Sequence, residues 1–120
     1  MVRIGSVVMG ASDVARAAAF WKAALDYVER EPATDDWVVL VPDGGTGAGL
    51  SLGRSESAVQ EVPRVHLDLY SAAQDAEVER LLALGAVRVA WELYPPDPDF
   101  VVLADPEGNR FCVIDTEHGG

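Results

Sequence analysis

Phe100–Asp115 reads FVVLADPEGNRFCVID: two short runs rich in β-branched and aromatic residues, divided by Asp105-Pro106-Glu107-Gly108-Asn109. Such runs suit strands. Pro106 presets its own φ, and Gly108 and Asn109 tolerate positive φ, so the chain can reverse there at low steric cost. The stretch is expected to be a β-hairpin. A weaker copy lies upstream, where Trp37–Gly44 reads WVVLVPDG. At a shift of 63 (100 − 37), Val38, Val39 and Leu40 fall on the identical residues Val101, Val102 and Leu103. One motif is used twice.

Outward from the hairpin, each copy is preceded by the same order of elements. Val2–Ala11 is expected to be a strand. Ser12 and Asp13 then offer a helix N-cap, and Asp13 suits the positive end of the helix dipole. Val14, Ala17, Ala18, Trp21 and Leu25 recur at helical spacing, which predicts an amphipathic helix over 13–25. Strands are expected over 26–33, 37–41 and 50–54, with Gly44–Gly49 as a turn. Ser55–Val62 is polar and aperiodic and reads as a linker. Beyond it come a strand over 64–70 and a helix over 72–84, with Val78, Leu81 and Leu82 facing inward. Gly85 then serves as the residue after the helix. A strand over 86–93 and a Pro-rich loop over 94–99 lead into the hairpin. The expected fold class is α+β, built from two βαβββ modules: about 1–54 and about 63–120.

Bulk properties exclude several function classes. The 120 residues make one domain that can bury a core without disulfides. Hydrophobic content of 49% with 24% charged residues is that of a globular chain. The net charge of −11 argues against nucleic acid or an anionic membrane as partner. Cys112 is the single cysteine, which suits a reducing cytoplasm. No apolar run reaches the ~20 residues of a membrane span, and no secretory leader is evident. There is no phosphate-binding loop, zinc-finger spacing or Gly-x-Ser-x-Gly nucleophile motif.

The chain resembles the vicinal oxygen chelate superfamily, which includes glyoxalase I, bleomycin-binding proteins, fosfomycin-modifying transferases and extradiol dioxygenases. The resemblance is carried by Ser12-Asp13, by Ala19-Phe20-Trp21-Lys22 with Leu25-Asp26-Tyr27, by Arg64-Val65-His66-Leu67-Asp68-Leu69, and by Asp105-Pro106-Glu107-Gly108-Asn109. Its wording is most similar to the glyoxalase-like domain branch. The resemblance implies two modules whose mixed sheets form a cup, often completed as a homodimer. Metal-using relatives place His or Glu ligands on the inner strand faces. Those positions fall here on Ser6, on Ser51 or a neighbour, on His66 and on Cys112.

Strand parity sorts the side chains. If Val65, Leu67 and Leu69 meet the helix layer, then Arg64, His66, Asp68 and Tyr70 face the other way. Likewise Phe111 and Val113 oppose Cys112 and Ile114. Ser6 is a poor ligand for divalent metals, and Cys112 stands where a carboxylate is wanted. Two residues along a strand are separated by roughly 7 Å, so Asp68 is awkward as a third ligand beside His66. No metal and no cofactor are expected.

The expected site is a pocket floored by His66 and Cys112, with Arg64, Trp37, Trp91, Tyr94 and Phe100 as walls. His66 is the one catalytic candidate, as hydrogen-bond partner or proton acceptor. Arg64 would favour a carboxylate or phenolate. Plainer roles compete: His66 bonded to Asp68 or water, Cys112 as a small buried filler, Arg64 in a rim ion pair, the aromatics in a dimer contact. Three functions follow. The first is a cytoplasmic glyoxalase-like protein that binds a small organic molecule without the usual metal centre, with catalysis left open. The second is a metal-dependent lyase or dioxygenase with an atypical ligand set. The third is a structural dimer whose cup is filled by its own side chains.

Overall fold

The computed structural model describes residues 1–119. The chain divides into two compact units, Met1–Ala58 and Val59–Gly120. The first contains β1 (Ser6–Ala11), α1 (Val14–Leu25), β2 (Tyr27–Glu29), β3 (Trp37–Pro42) and β4 (Gly49–Arg54). The second contains β5 (Asp68–Ser71), α2 (Gln74–Leu84), β6 (Val87–Arg88), β7 (Phe100–Ala104) and β8 (Arg110–Asp115). Each unit is a four-stranded mixed sheet carrying one helix. Their strand orders, β1-β4-β3-β2 and β5-β8-β7-β6, are the same arrangement used twice. In each, the first strand runs parallel to the last and the remaining pairs are antiparallel. The fold class read from the sequence is α+β with two βαβββ repeats, and this is what forms.

α1 begins where Asp13 accepts a hydrogen bond from the Arg16 backbone N–H at 3.1 Å, satisfying one free amide of the first turn. Val14, Ala17, Ala18, Phe20 and Trp21 are buried, and the Phe20 and Trp21 rings meet edge to face at 5.0 Å. The helix stops at Asp26, which adopts the left-handed conformation. Gly85 has positive φ at the matching place after α2. α2 is tied down by its first residue. The Gln74 side-chain amide donates to the carbonyls of Val113 at 2.9 Å and Asp99 at 3.1 Å.

The β7–β8 hairpin forms with the expected bounds. Its turn is held by Asp105, which is only 2% exposed. The Asp105 carboxylate accepts from the backbone N–H groups of Glu107 and Asn109, both at 2.9 Å, an Asx-type closure. Gly108 takes φ +90°; Asn109 keeps negative φ, so glycine alone uses the positive region there.

Several strands are shorter than expected, because the partner strand ends or because its donor is taken by another group. The strand expected over 64–70 begins only at Asp68. β5 pairs with β8 alone, Asp68 lies opposite Cys112, and β8 starts at Arg110. Residues before position 66 would face the hairpin turn, so Arg64 and Val65 have no ladder to join. Val65, expected against the helix layer, is therefore 79% exposed. The strand expected over 86–93 is reduced to Val87–Arg88. Further along, the Tyr94 hydroxyl accepts the Val102 backbone N–H at 2.7 Å and so occupies a donor that a longer β6 would have used. β1 begins at Ser6 rather than Val2, since its partner β4 begins at Gly49.

Candidate functional site

β8 carries Cys112 at its centre, between the buried core residues Phe111 and Val113. Its neighbour across the parallel ladder is Asp68, the first residue of β5. His66 precedes the strand, where the backbone is irregular, and its Nε2 lies 3.0 Å from Asp68 Oδ1. Donor atoms of His66, Asp68 and Cys112 all lie within 4.8 Å of one another. Asp68 therefore reaches His66, against the expectation that strand spacing would hold the two apart. That spacing holds for two residues in one extended strand, and His66 is outside the strand with a side chain long enough to fold back.

Burial first and the neighbouring Asp68 second act on the Cys112 thiol. Burial pushes the Cys112 thiol up to about 11, and the adjacent Asp68 carboxylate adds to this by its charge and by accepting a hydrogen bond from the S–H. The thiol is protonated at neutral pH, so Cys112 is a hydrogen-bond donor here and no ready nucleophile.

Two hollows open on this cluster. One, about 210 Å³, is bordered by Val62, Pro63, Trp91, Val102, Arg110 and Phe111 together with His66 and Cys112. Arg110 is anchored there, donating from Nη1 to the Glu61 carbonyl at 2.7 Å, with its guanidinium carbon 6.0 Å from the Trp91 ring centroid. The other, about 480 Å³, shares His66, Cys112 and Trp91 and adds Asp68, Tyr70, Leu93, Asp99, Phe100 and Ile114. That volume lies within the range of small-molecule sites.

Of the residues singled out from the sequence, His66, Cys112 and Trp91 border both hollows, and Phe100 borders the larger. Tyr94 stands behind Phe100, ring centroids 5.2 Å apart, with its hydroxyl spent on Val102. Arg64 is exposed, its backbone N–H bonded to Gln60, and it is not among the residues bordering either hollow. Trp37 belongs to the first unit, on β3, where its ring lies across Gly53. Asp99, Leu93 and Arg110 were not singled out as walls. Asp99 and Leu93 lie in or beside the Pro-rich segment before β7, where alternation gives no signal.

The register identifies what the first unit holds in the equivalent place. Val39 lies opposite Ser51 as Val102 lies opposite Cys112, and Val8 lies opposite Ser51 as Asp68 lies opposite Cys112. Ser6, Val8 and Ser51 therefore correspond to His66, Asp68 and Cys112. Ser6 Oγ and Ser51 Oγ are bonded to each other at 2.6 Å. The residues present do not fit the superfamily's usual metal centre. Two of the strand positions it would draw on, Ser6 and Ser51, are neutral hydroxyls bonded to one another, and a third, Cys112, is a thiol where a carboxylate is usual.

The pattern of the glyoxalase-like domain family matches residues 6–114. No curated protein sequence matches. Among solved structures, a glyoxalase/bleomycin resistance protein/dioxygenase family enzyme from Burkholderia phytofirmans is similar with TM-score 0.72 and 18% identity, covering 93% of this chain and 97% of that one. A glyoxalase-related enzyme from Fulvimarina pelagi gives TM-score 0.69 and 17% identity, with 95% and 88% covered. The fosfomycin resistance protein FosX from Listeria monocytogenes, in complex with Mn(II) and 1S,2S-dihydroxypropylphosphonic acid, gives TM-score 0.73 and 14% identity, with 96% and 90% covered. At these identities the likeness is one of fold. With 6–114 matched and the βαβββ repeat in place, the chain belongs to the glyoxalase-like domain family of the vicinal oxygen chelate superfamily.

Proposed function

We propose that this is a small-molecule-binding protein whose ligand sits in the larger hollow of the second unit, over His66, Asp68 and Cys112, without the superfamily's usual metal centre. One observation carries the reading. A hollow of about 480 Å³ combines an aromatic and aliphatic wall, Trp91, Phe100 and Ile114 among it, with three polar groups gathered at one place. An apolar body with a few convergent polar contacts is what such sites hold. His66 is the group suited to exchange a proton with a bound ligand. It is 42% exposed at the side chain and is oriented by Asp68. The protein works in this reading as a cytoplasmic homodimer.

The test is a thermal-shift screen of small organic molecules with EDTA present, followed by calorimetry of hits against wild type and His66→Ala. Binding is expected to raise the melting temperature, and His66→Ala should weaken it severalfold while leaving the unliganded melting temperature unchanged. Hits that bind equally well to His66→Ala would remove the site from this hollow.

A second reading is favoured by the same cluster. His66, Asp68 and Cys112 offer nitrogen, oxygen and sulfur donors within 4.8 Å. That set belongs to one unit and could serve a metal-dependent lyase or dioxygenase with an atypical ligand set. Loading it would require loss of the Cys112 proton. One equivalent of metal per chain in purified protein, lost in His66→Ala, would favour this reading over the first.

A further inference from the structure

The charge on the larger hollow points opposite to the anionic ligand that Arg64 suggested. Its border includes two acidic residues, Asp68 and Asp99, and no lysine or arginine among the described residues. Arg110, the nearby cation of this unit, borders only the smaller hollow and is committed to Glu61 and the Trp91 ring. Asp68 is flanked by the His66 imidazole and the Cys112 thiol. The walls are aromatic: Tyr70, Trp91 and Phe100 all border the space. The Arg110 guanidinium carbon lies 6.0 Å from the Trp91 ring centroid, at the outer limit of a cation–π contact.

We infer that the larger hollow takes an organic ammonium ligand, an amine or quaternary ammonium on an apolar or aromatic body, held by Asp68 and Asp99 and by the rings of Trp91, Phe100 and Tyr70. Aromatic faces attract cations through their quadrupoles, and carboxylates add a direct Coulombic term that grows as water is displaced. The apolar body meets Leu93 and Ile114. An anion of the same shape would face two carboxylates, with the His66 imidazole as the one basic side chain on the border among the described residues. This inference rests on the reading that the hollow is the ligand site.

The experiment compares three probes of similar size by calorimetry at low ionic strength: benzyltrimethylammonium, neutral neopentylbenzene and anionic phenylacetate. Benzyltrimethylammonium is expected to bind about tenfold more tightly than the neutral probe, which corresponds to about 1.4 kcal/mol. Phenylacetate should bind weakest, and added salt should narrow the gap. Asp99→Asn should cut the ammonium affinity severalfold and leave the neutral probe unchanged, which also reports that the hollow is intact. Equal binding of neutral and ammonium probes, or tighter binding of phenylacetate, would overturn the charge assignment while leaving the hollow as the site. Failure of all three to bind would overturn both readings.

Discussion

Ser6 and Ser51 share a hydrogen bond, Oγ to Oγ at 2.6 Å, at the two places in the first unit that correspond by register to His66 and Cys112 in the second. The backbone repeat is the same in both. The chemistry is not: one unit closes its polar groups on each other, and the other leaves an imidazole, a carboxylate and a thiol beside open space. The second unit is therefore where ligand chemistry is expected.

Cys112 gives a pH prediction. Its folded value of about 11 stands above the ordinary 9.0. A raised acid binds its proton more tightly in the native state. The stability it contributes is thus fully present below pH 9 and is lost as pH rises to about 11. The loss should be on the order of 2 kcal/mol. Urea unfolding of wild type and Cys112→Ser at pH 8 and pH 11 checks this; a stability difference that does not change with pH would contradict it.

Asp68→Asn should bring the thiol down by removing the adjacent charge. Iodoacetamide labelling of Cys112 at pH 9 is expected to speed up severalfold in the variant. An unchanged rate would mean that burial alone governs the thiol.

The Asp105 carboxylate is a structural device of the hairpin. Asp105→Ala should cost about 3 kcal/mol, because two backbone N–H groups in a part-buried turn lose a charged acceptor. Asp105→Asn, which keeps one acceptor oxygen, should cost less. Urea denaturation of both variants tests the ordering.

The sequence made the repeat and the hairpin legible because they rest on local rules. Val38-Val39-Leu40 recurs as Val101-Val102-Leu103, and Gly108 sits where the turn needs positive φ. Asp13 was readable as an N-cap for the same reason. What could not be read was set by partners distant in the chain. β5 starts late because β8 starts at Arg110, and this placed His66 outside the strand and within reach of Asp68. Alternation along one strand cannot reveal that. Nor could it show Asp99 and Leu93 on the border of the hollow, since Asp99 lies in the Pro-rich loop and Leu93 at the end of an expected strand that forms only over Val87–Arg88.

A homodimer is expected in solution. β1 and β5 are sheet-edge strands, and Ile4, Val8, Tyr70 and Leu93 are large apolar side chains exposed on or beside the sheets. Exposed edges and apolar patches of this kind call for cover. Light scattering should give twice the 12.8 kDa chain mass at micromolar concentration; a monomer would contradict it.

Ligand binding is expected to belong to the His66–Asp68–Cys112 hollow and to need no metal. Amide shift mapping by NMR, with a screening hit titrated into EDTA-treated protein verified metal-free by elemental analysis, tests it most directly. Saturable shifts are expected, concentrated at residues 66–70, 91–93, 99–100 and 112–114. Shifts confined to other residues, or binding that appears only when a divalent metal is restored, would contradict it.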